Sequence, residues 1–526
     1  MAKQLLSQAI AAPAFYGINT QESGVTLQEG FAVQADNCVM DKFGRLGARK
    51  GRALLTTTGG TVNDADGNAI GIDLLGLSNF NDVKGANIFI SWSADKFYTG
   101  TTTLTELATS GTDLGTGHVV GNWQAATLND KHYFFQRGQK PLCYEDLGGS
   151  SSATFKSVAT SSSASGTPPN ANTVLAAYGR LWAADEPDDK TKVSFTNVLE
   201  GTQWDSGTSG SLDISSVLTS GMDEIVALGA HNGYLIIFCK NNIIIYGDND
   251  NFQNGITTAG LTLVEVIEGV GCVARDSVQN TGQDILFLSS TGIRSLNRTV
   301  QEKSQPMRDI SKNIRDDVLG SLSGANVDNI KSVYSPVDAF YLITFPLSMI
   351  TYCFDIRMPL EDGSLRATFW PNMYPKGYLA KDSRLYFAGL NGVEAYQGHQ
   401  DLGLPYTMDY YSNYFDLGQP NISKIVKKIS STTVGTSGQE FILRIGYDYS
   451  NTYYSYPFTL ALGSVTEYGI AEYGIGEYVG TIQINNQTAN SQGAGSIIQI
   501  GFSVVVNGAP FSLQRISLYA KQGKVI

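Results

Sequence analysis

The 526-residue chain carries little charge: 16% of its residues are Asp, Glu, Lys or Arg, against about 25% in typical soluble domains. Its net charge is −12, and its densest basic cluster is Lys424, Lys427 and Lys428. A surface that binds nucleic acid needs clustered Lys and Arg, so the composition argues against one. The low charge also predicts that other subunits cover much of the protein surface.

Residues that commonly bind metals or act as nucleophiles are scarce. The number of cysteines is odd and none forms a Cys-x-x-Cys pair, which favours synthesis in a reducing compartment without disulfides. No two histidines lie at metal-ligand spacing, so we expect structural or surface roles for them. Phosphate-loop and Gly-x-Ser-x-Gly motifs are also missing. We therefore predict no enzymatic activity, no metal and no cofactor. The residues concerned are Cys38, Cys143, Cys239, Cys272, Cys353, His118, His132, His231 and His399.

Long apolar runs are missing as well. No stretch approaches 18 uninterrupted apolar residues, so we expect no membrane span. The first residues, MAKQLLSQAIAAPAF, superficially suggest a signal peptide. Ser7 and Gln8 break the apolar stretch, however, and Lys3 is its only basic residue. This pattern argues against export, and we expect synthesis in the cytoplasm.

What the sequence does contain is a pattern that returns seven times. Each copy is an apolar strand, a turn rich in Asp, Asn or Gly, and a second strand that alternates apolar and polar residues. Steps of 45, 48, 54, 50, 56 and 44 residues separate the second strands. Strand-rich units at this spacing indicate the blades of a β-propeller. The aligned positions are Ile88, Tyr133, Leu181, Leu235, Ile285, Tyr341 and Leu385.

The repeats divide the chain into three regions. Residues 1–60 precede the repeats as an N-terminal arm with the first strands, and residues 61–404 form the propeller. From 405 to 526 the chain has longer alternating strands, which indicate a β-sandwich-like C-terminal domain. The sequence therefore predicts an all-β protein with about seven blades, six or eight being allowed, and a C-terminal β-domain.

One helix is expected, near residues 308–322, inserted between two blades. Ile310, Ile314 and Val318 follow one another at intervals of four residues, which places them on one apolar stripe. Asp309 could cap the start of this helix.

Three acidic segments could bind a cation or line a functional surface. In Asn63-DADGN, the oxygens of Asp64, Asp66 and Asn68 could hold calcium, but the distal bidentate Glu is missing. A type I′ turn explains this segment with fewer assumptions, and whether it binds a cation stays open. Two further loops are candidates for a lumen or tip surface, although the first is most simply a solvated hairpin tip. Their acidic residues are Asp185, Glu186, Asp188 and Asp189 in one loop, and Asp248 and Asp250 in the other.

Some propellers bind or degrade glycans, and this alternative stays open. Glycosidases need a pair of carboxylates near the axis. The sequence contains Asp and Glu pairs, but it singles out none of them and lacks the repeated Ser-x-Asp-x-Gly-x-Thr-Trp motif of sialidase blades. A propeller that binds or degrades glycans is therefore the alternative hypothesis.

Several passages resemble the tail nozzle proteins (tail tubular protein B-like) of short-tailed bacteriophages. The segment from Tyr16-GINTQ to Gly44-RLGARKG is similar to that family's opening pattern, and Val270-GCVARDSVQ followed by Asp309-ISKNI is similar to its blade and helix. A third such passage begins at Tyr178-GRLWAAD. The residues that approximate the opening pattern are Gly17, Ile18, Gln21, Gly44, Leu46, Arg49 and Gly51.

The resemblance implies a structural role in the virion tail. Such nozzles assemble as six-fold rings below the portal and adaptor, extend the DNA channel, and contact tail fibres or a tip plug. The expected partners are thus five further copies of the chain, a tail adaptor, fibres or plug proteins, and genomic DNA that passes without specific binding. An acidic or neutral lumen suits this role, since contacts between basic residues and phosphates would slow the DNA.

Overall fold

The computed structural model describes residues 6–11, 15–24, 26–41, 43–56, 61–63, 69–82, 85, 87–107, 121–145, 154–161, 163–219, 221–248, 260–302, 309–450, 452–460 and 482–525. Strands predominate among these residues, which confirms the all-β prediction. The first strands are β1 (Leu6–Ala11), β2 (Gly17–Ile18), β3 (Phe31–Asp36), β4 (Cys38–Met40), β5 (Leu46–Ala48), β6 (Arg52–Leu54), β7 (Thr61–Asn63) and β8 (Ala69–Gly71).

β7 and β8 pair as an antiparallel hairpin, with Val62 opposite Ile70. The flanking strands therefore agree with the hairpin prediction. The proposed turn or cation loop itself (Asp64, Asp66 and Asn68) lies outside the described residues.

The middle of the chain forms a β-propeller of antiparallel units whose strands follow one another in sequence. The first four units are β9 (Gly76–Asn81), β10 (Asn87–Trp92), β11 (Phe97–Thr99) and β12 (Thr105–Glu106); β13 (Gln124–Leu128), β14 (Lys131–Phe135), β15 (Leu142–Glu145) and β16 (Thr154–Ser157); β17 (Thr173–Ala177), β18 (Arg180–Ala184), β19 (Lys192–Phe195) and β20 (Gly210–Asp213); β21 (Ile225–His231), β22 (Tyr234–Cys239), β23 (Asn242–Asp248) and β24 (Leu261–Glu268).

Three further units follow along the chain. The last of them takes its fourth strand from β6, near the start of the chain, with Tyr396 opposite Arg52. The strands are β25 (Gln279–Asn280), β26 (Ile285–Ser289) and β27 (Gly292–Ser295); β28 (Lys331–Ser335), β29 (Phe340–Phe345), β30 (Ile350–Asp355) and β31 (Arg366–Pro371); β32 (Gly377–Lys381), β33 (Arg384–Gly389) and β34 (Gly392–Tyr396).

The repeat alignment agrees with these units, because each of the seven aligned residues lies in the second strand of its unit. The prediction of about seven blades is wrong in number, because the propeller has six blades. Six units are separate sheets, whereas β28–β31 form part of a ten-stranded sheet. The physical reason is that β31 pairs in parallel with β3, at Phe369 and Asp36, and β3 continues into the C-terminal strands.

The C-terminal strands form two large sheets together with N-terminal strands. In the ten-stranded sheet the order is β28-β29-β30-β31-β3-β35-β41-β37-β38, with β2 on β3; in the seven-stranded sheet it is β39-β36-β42-β5-β4, with β1 on β42 and β40 on β36. These strands are β35 (Tyr406–Phe415), β36 (Ile422–Thr436), β37 (Glu440–Tyr447), β38 (Tyr454–Thr459), β39 (Ile482–Asn490), β40 (Ala494–Gly495), β41 (Ile498–Val506) and β42 (Phe511–Val525).

The pairing of C-terminal with N-terminal strands bears on the predicted organisation. β1 pairs with residues 515–520 of β42, with Ala520 opposite Leu6, and β35 pairs with β3. Because residues 405–526 share sheets with the arm, the boundaries at 60 and 404 and a separate C-terminal domain stay predictions. We call the ten- and seven-stranded sheets the terminal sheets.

Apolar side chains form one large core and several smaller ones. The large core contains residues of both terminal sheets, such as Leu443 and Leu518. The smaller cores lie between neighbouring units of the ring: Phe80 and Phe134, for example, join the first two. Each propeller unit thus buries its faces against its neighbours, as expected for a ring of small sheets.

The helical insertion differs from its prediction. Helix α1 (Leu296–Glu302) was not predicted, and α2 (Arg315–Leu322) begins later than expected, after a 3₁₀ turn at Lys312–Ile314. Ile310, Ile314 and Val318 are buried as the stripe requires. Asp309 does not cap the helix, because it is buried and its Oδ1 lies 3.2 Å from Nε of Arg294.

Candidate functional site at the propeller axis

A cavity of about 400 Å³ lies among the inner strands of the propeller. β9, β13, β25, β28 and β32 contribute to its wall. Most of the polar lining is uncharged, as in Ser78, Gln124 and Gln279, and the charged lining is confined to Arg275, Asp276 and Lys331. The axis is therefore the concave, polar place at which a propeller of this kind could bind a ligand.

Arg275 is the centre of a buried ionic cluster at one end of this cavity. Its side chain is 3% exposed, and it lies on the 3₁₀ turn before β25. The guanidinium binds Asp276 through two hydrogen bonds of 2.8 Å. It also donates to the backbone oxygen of Asn172 at 2.7 Å and to Oδ1 of Asn122 at 2.9 Å. One side chain thus joins segments that lead into three inner strands.

Lys331, the first residue of β28, completes the cluster. Its ammonium group donates to Oδ1 of Asn122 at 2.6 Å and forms a short contact with the carboxylate of Asp276. Burial lowers the pKa of Lys331, and the charge of Arg275 adds to this effect. Burial alone would raise the pKa of Asp276, but Arg275 and Lys331 hold it below its usual range. We call Asn122, Arg275, Asp276 and Lys331 the axial cluster.

Asp185 connects the first candidate loop to this cluster. It is only 2% exposed and accepts hydrogen bonds from Nδ2 of Asn172 at 2.8 Å, from Arg137 at 2.5 Å and from Lys190 at 2.5 Å. Its φ of +65° turns the chain sharply after β18. Asp185 is therefore a buried residue that holds neighbouring segments together. The simplest prediction for its loop was a solvated hairpin tip.

The other predicted lumen or tip residues are not brought together. Asp188 is exposed, Asp189 accepts a hydrogen bond from the backbone of Thr191, and burial raises the pKa of Glu186. Asp248 ends β23, the third strand of its unit, whereas Asp185 follows a second strand. Since successive strands are antiparallel, the two loops lie at opposite faces of the propeller. Asp250 lies outside the described residues. A lumen or tip role for these loops stays a prediction.

His132 occupies a buried polar site beside the cavity. Its Nδ1 lies 2.7 Å from Oγ1 of Thr127 and its Nε2 lies 2.9 Å from Oγ of Ser78. Burial lowers its pKa to about 3, so the ring is neutral at ordinary pH. His231 is also buried, burial lowers the pKa of His399, and His118 lies outside the described residues.

The N-terminal residues that carry the family resemblance meet the end of the propeller. Arg49 is 1% exposed and forms a two-pronged ion pair with Asp401, at 2.9 and 2.6 Å. Its guanidinium also lies 4.2 Å from the ring centre of Tyr406. A Cβ atom on Gly51 would lie 1.9 Å from the backbone oxygen of Gln400, so only glycine fits there. We call this contact region the junction.

Among the residues that the structure describes, no group of three His, Cys, Asp or Glu side chains could hold a metal ion. All five cysteines are buried and unpaired, and burial raises the pKa of Cys143 to about 12. No helix in this part of the chain is long and apolar enough to cross a membrane.

Comparisons with known proteins give only distant structural similarity. No family model matches the sequence, and no curated protein matches it. Among solved structures, Kluyveromyces lactis Hsv2 is 10% identical, with 57% of this chain and 87% of that chain covered at a TM-score of 0.31. PorZ of the Porphyromonas gingivalis type-IX secretion system is 11% identical, with 78% and 46% covered at 0.34. The CNH domain of AfRom2 is 10% identical, with 55% and 89% covered at 0.30. Scores this low support no functional argument.

Sequence reasoning did not find the axial cluster. The sequence feature that could have revealed it is the adjacent pair Arg275-Asp276. This pair lies between an apolar strand and the next repeat in a chain with few charges. Buried charges are costly unless they are paired, so a charge pair in such a place indicates a specific partner. The third charge, on Lys331, comes from the next unit, and only the fold brings it near.

Proposed function

We propose that this chain is a structural subunit of a short-tailed bacteriophage tail, in which six copies form the nozzle ring. The observation that carries the proposal is that charged side chains block the propeller axis. Arg275, Asp276 and Lys331 fill one end of the axial cavity with mutually paired charges. A duplex cannot pass through such an axis, so a DNA channel formed by this protein would run between subunits.

The junction adds support from the resemblance. Arg49 and Gly51 approximate the opening pattern of the nozzle family. Where the propeller meets the terminal sheets, Arg49 forms a buried ion pair and Gly51 allows a close backbone contact. The same holds for Gly17, where an added Cβ would lie 2.7 Å from the backbone of Ala367. The similar residues are therefore those that join the parts of the molecule, which is consistent with a shared architecture.

Exposed apolar side chains supply surface for assembly. Leu347, Met349 and Leu390 are 67%, 51% and 65% exposed. Leu347 and Met349 follow the second strand of one unit, and Leu390 follows the second strand of the next. All three therefore lie on one face of the propeller. Contacts between subunits or with an adaptor would cover such residues.

The proposal is tested on virions. We expect chemical cross-linking and electron microscopy of purified particles to give a closed six-fold ring of this chain below the portal and adaptor. The expected lumen is acidic or neutral. A chain that stays monomeric in the particle, or a continuous Lys and Arg stripe along the bore, would contradict the proposal.

The axial cavity favours one alternative, a glycan-binding or glycan-degrading tail protein. Its uncharged polar wall could hydrogen-bond a sugar. Titration of the purified chain with host oligosaccharides, followed by calorimetry and product analysis, separates the two functions. Saturable binding that is lost in Gln279→Ala, or release of sugar products, would favour the alternative.

A further inference from the structure

The axial cluster places an amine directly against an amide carbonyl in a largely buried site. Nζ of Lys331 lies 2.6 Å from Oδ1 of Asn122, and the Lys331 side chain is 14% exposed. The same oxygen accepts a hydrogen bond of 2.9 Å from Arg275. The carboxylate of Asp276 contacts the amine from the other side. A nucleophile, an electrophile, a cation and a base are thus within hydrogen-bond reach of one another.

We propose that Lys331 and Asn122 form an intramolecular isopeptide bond. The bond would join the segment before β13 to the first residue of β28, across 209 positions of sequence. It would be an autocatalytic modification, performed once by each chain after folding. The proposal does not depend on the nozzle function.

The reaction balances without a further reactant. Asp276 takes one proton from the ammonium group of Lys331, and the free amine attacks Cγ of Asn122. A new bond forms between Nζ and Cγ, and the bond from Cγ to Nδ2 breaks. The departing nitrogen leaves as ammonium, carrying its own two hydrogens and two protons from Nζ, one of them relayed by Asp276. The products are a secondary amide and ammonium, and no oxidation or reduction occurs.

Each neighbour has a defined part in this reaction. Burial lowers the pKa of Lys331, which increases its share of neutral, nucleophilic amine. Arg275 donates to the oxygen that becomes negative in the tetrahedral intermediate, and a fixed donor at that position lowers the barrier. Because Arg275 and Lys331 hold the pKa of Asp276 low, this carboxylate is a weak base, so it holds the proton only briefly before passing it on and the transfer from Lys331 is uphill. We therefore expect a slow reaction with one turnover.

The charge balance favours the product. At contact distance the axial cluster contains two cations, Arg275 and Lys331, against the single carboxylate of Asp276. The nearby carboxylates of Asp185 and Asp328 are already shared with Arg137 and Lys190. Forming the amide removes one positive charge from a largely buried site, where excess charge is costly. The axial cavity, which Lys331 and Asp276 line, gives the ammonium a place to leave.

The test is the intact mass of the purified full-length chain under denaturing conditions. We expect a mass lower by one ammonia molecule than the sequence requires, and a branched peptide in the digest that joins Asn122 to Lys331. The Lys331→Arg and Asn122→Ala variants should show their full masses. Asp276→Asn should react more slowly, which a time course of mass after refolding measures.

A matched control lies elsewhere on the propeller. Nζ of Lys381 is 2.5 Å from Oδ1 of Asn87, but Asn87 is exposed, so we expect no branched peptide there. If the folded wild-type chain shows its full mass after prolonged incubation and yields only unbranched peptides containing Lys331, the proposal is wrong. This measurement needs only the wild-type protein, so it tests the proposal even if a variant fails to fold.

Discussion

The propeller blades and the terminal sheets are both mainly antiparallel β-structure, but they are assembled from different distances along the chain. Within most blades, strands pair with their immediate successors, as β13 does with β14, and the pairing of β34 with β6 is the exception. In the terminal sheets, strands from opposite ends pair, as Leu6 does with Ala520. Blades therefore form from local contacts, whereas the terminal sheets need most of the chain to be present before they can close.

The two regions also differ in their cores. The blades share several small clusters, each confined to the contact between neighbours, such as the one around Trp182 and Ile237. The terminal sheets share one continuous core that also contains Val318 of the helical insertion and Leu286 and Ile293 of one blade. A single substitution should thus disturb one contact in the propeller, but the whole cooperative unit in the terminal sheets.

The largest expected effect is at the junction between the two regions. Arg49→Ala removes a fully buried cation and leaves Asp401 without its two-pronged partner, which costs about 3–5 kcal/mol. We expect denaturant unfolding at a lower midpoint, with the terminal sheets, including the β28–β31 unit that continues into them, losing structure first. Lys96→Ala is the control, because the Lys96–Glu106 pair is exposed and should contribute less than about 1 kcal/mol. Equal effects of the two variants would show that the junction does not couple the regions.

A pH-dependent effect is expected inside the propeller. The folded-state pKa of His132 is about 3, below its ordinary value of 6.5. As the pH falls from 6.5 towards 3, the unfolded chain binds a proton that the folded chain does not. The wild type should therefore lose about 1.4 kcal/mol of stability per pH unit from this residue.

The measurement for His132 is a pair of unfolding curves. His132→Asn removes the titrating group, so the stability of the wild type relative to the variant should decline between pH 6.5 and pH 4.5. At pH 8 the imidazole is neutral in both states, and the difference there reports only lost packing and hydrogen bonds to Thr127 and Ser78. A difference that is independent of pH would mean that the folded state binds the proton as well.

A smaller effect is expected at the first candidate loop. Asp185→Asn keeps the shape of the side chain but loses the charge that Arg137 and Lys190 share, which costs about 2 kcal/mol. Asp188→Asn, in the same loop but exposed, should stay within about 0.5 kcal/mol. Thermal unfolding of the two variants compares them directly. If Asp188→Asn is the more damaging, the loop is organised differently from this structure.

The sequence predicted what local contacts determine. The seven alternating hairpins could be predicted because each copy contains its own turn and its own apolar face. Tyr133 and Leu385 could therefore be assigned to second strands. The pairing of β31 with β3 could not be predicted from the sequence, because it depends on one parallel bridge between Phe369 and Asp36. For the same reason the acidic residues looked alike, although Asp185 is buried and Asp188 is exposed.

The smallest expected effect concerns two glycines of the helical insertion, which packs on the terminal core. Both have open space around the position of an added Cβ, but Gly320 lies within α2 at an ordinary φ, whereas Gly324 follows the helix with a φ of +79°. Alanine at position 320 restricts the unfolded chain without strain, so Gly320→Ala should stabilise the protein by about 0.5–1 kcal/mol. Gly324→Ala should destabilise it by about 1 kcal/mol, because alanine avoids the left-handed region. The midpoint of thermal unfolding measures both. Since surroundings are equally open, a shift of the same sign in the two variants would show that backbone conformation does not decide the outcome.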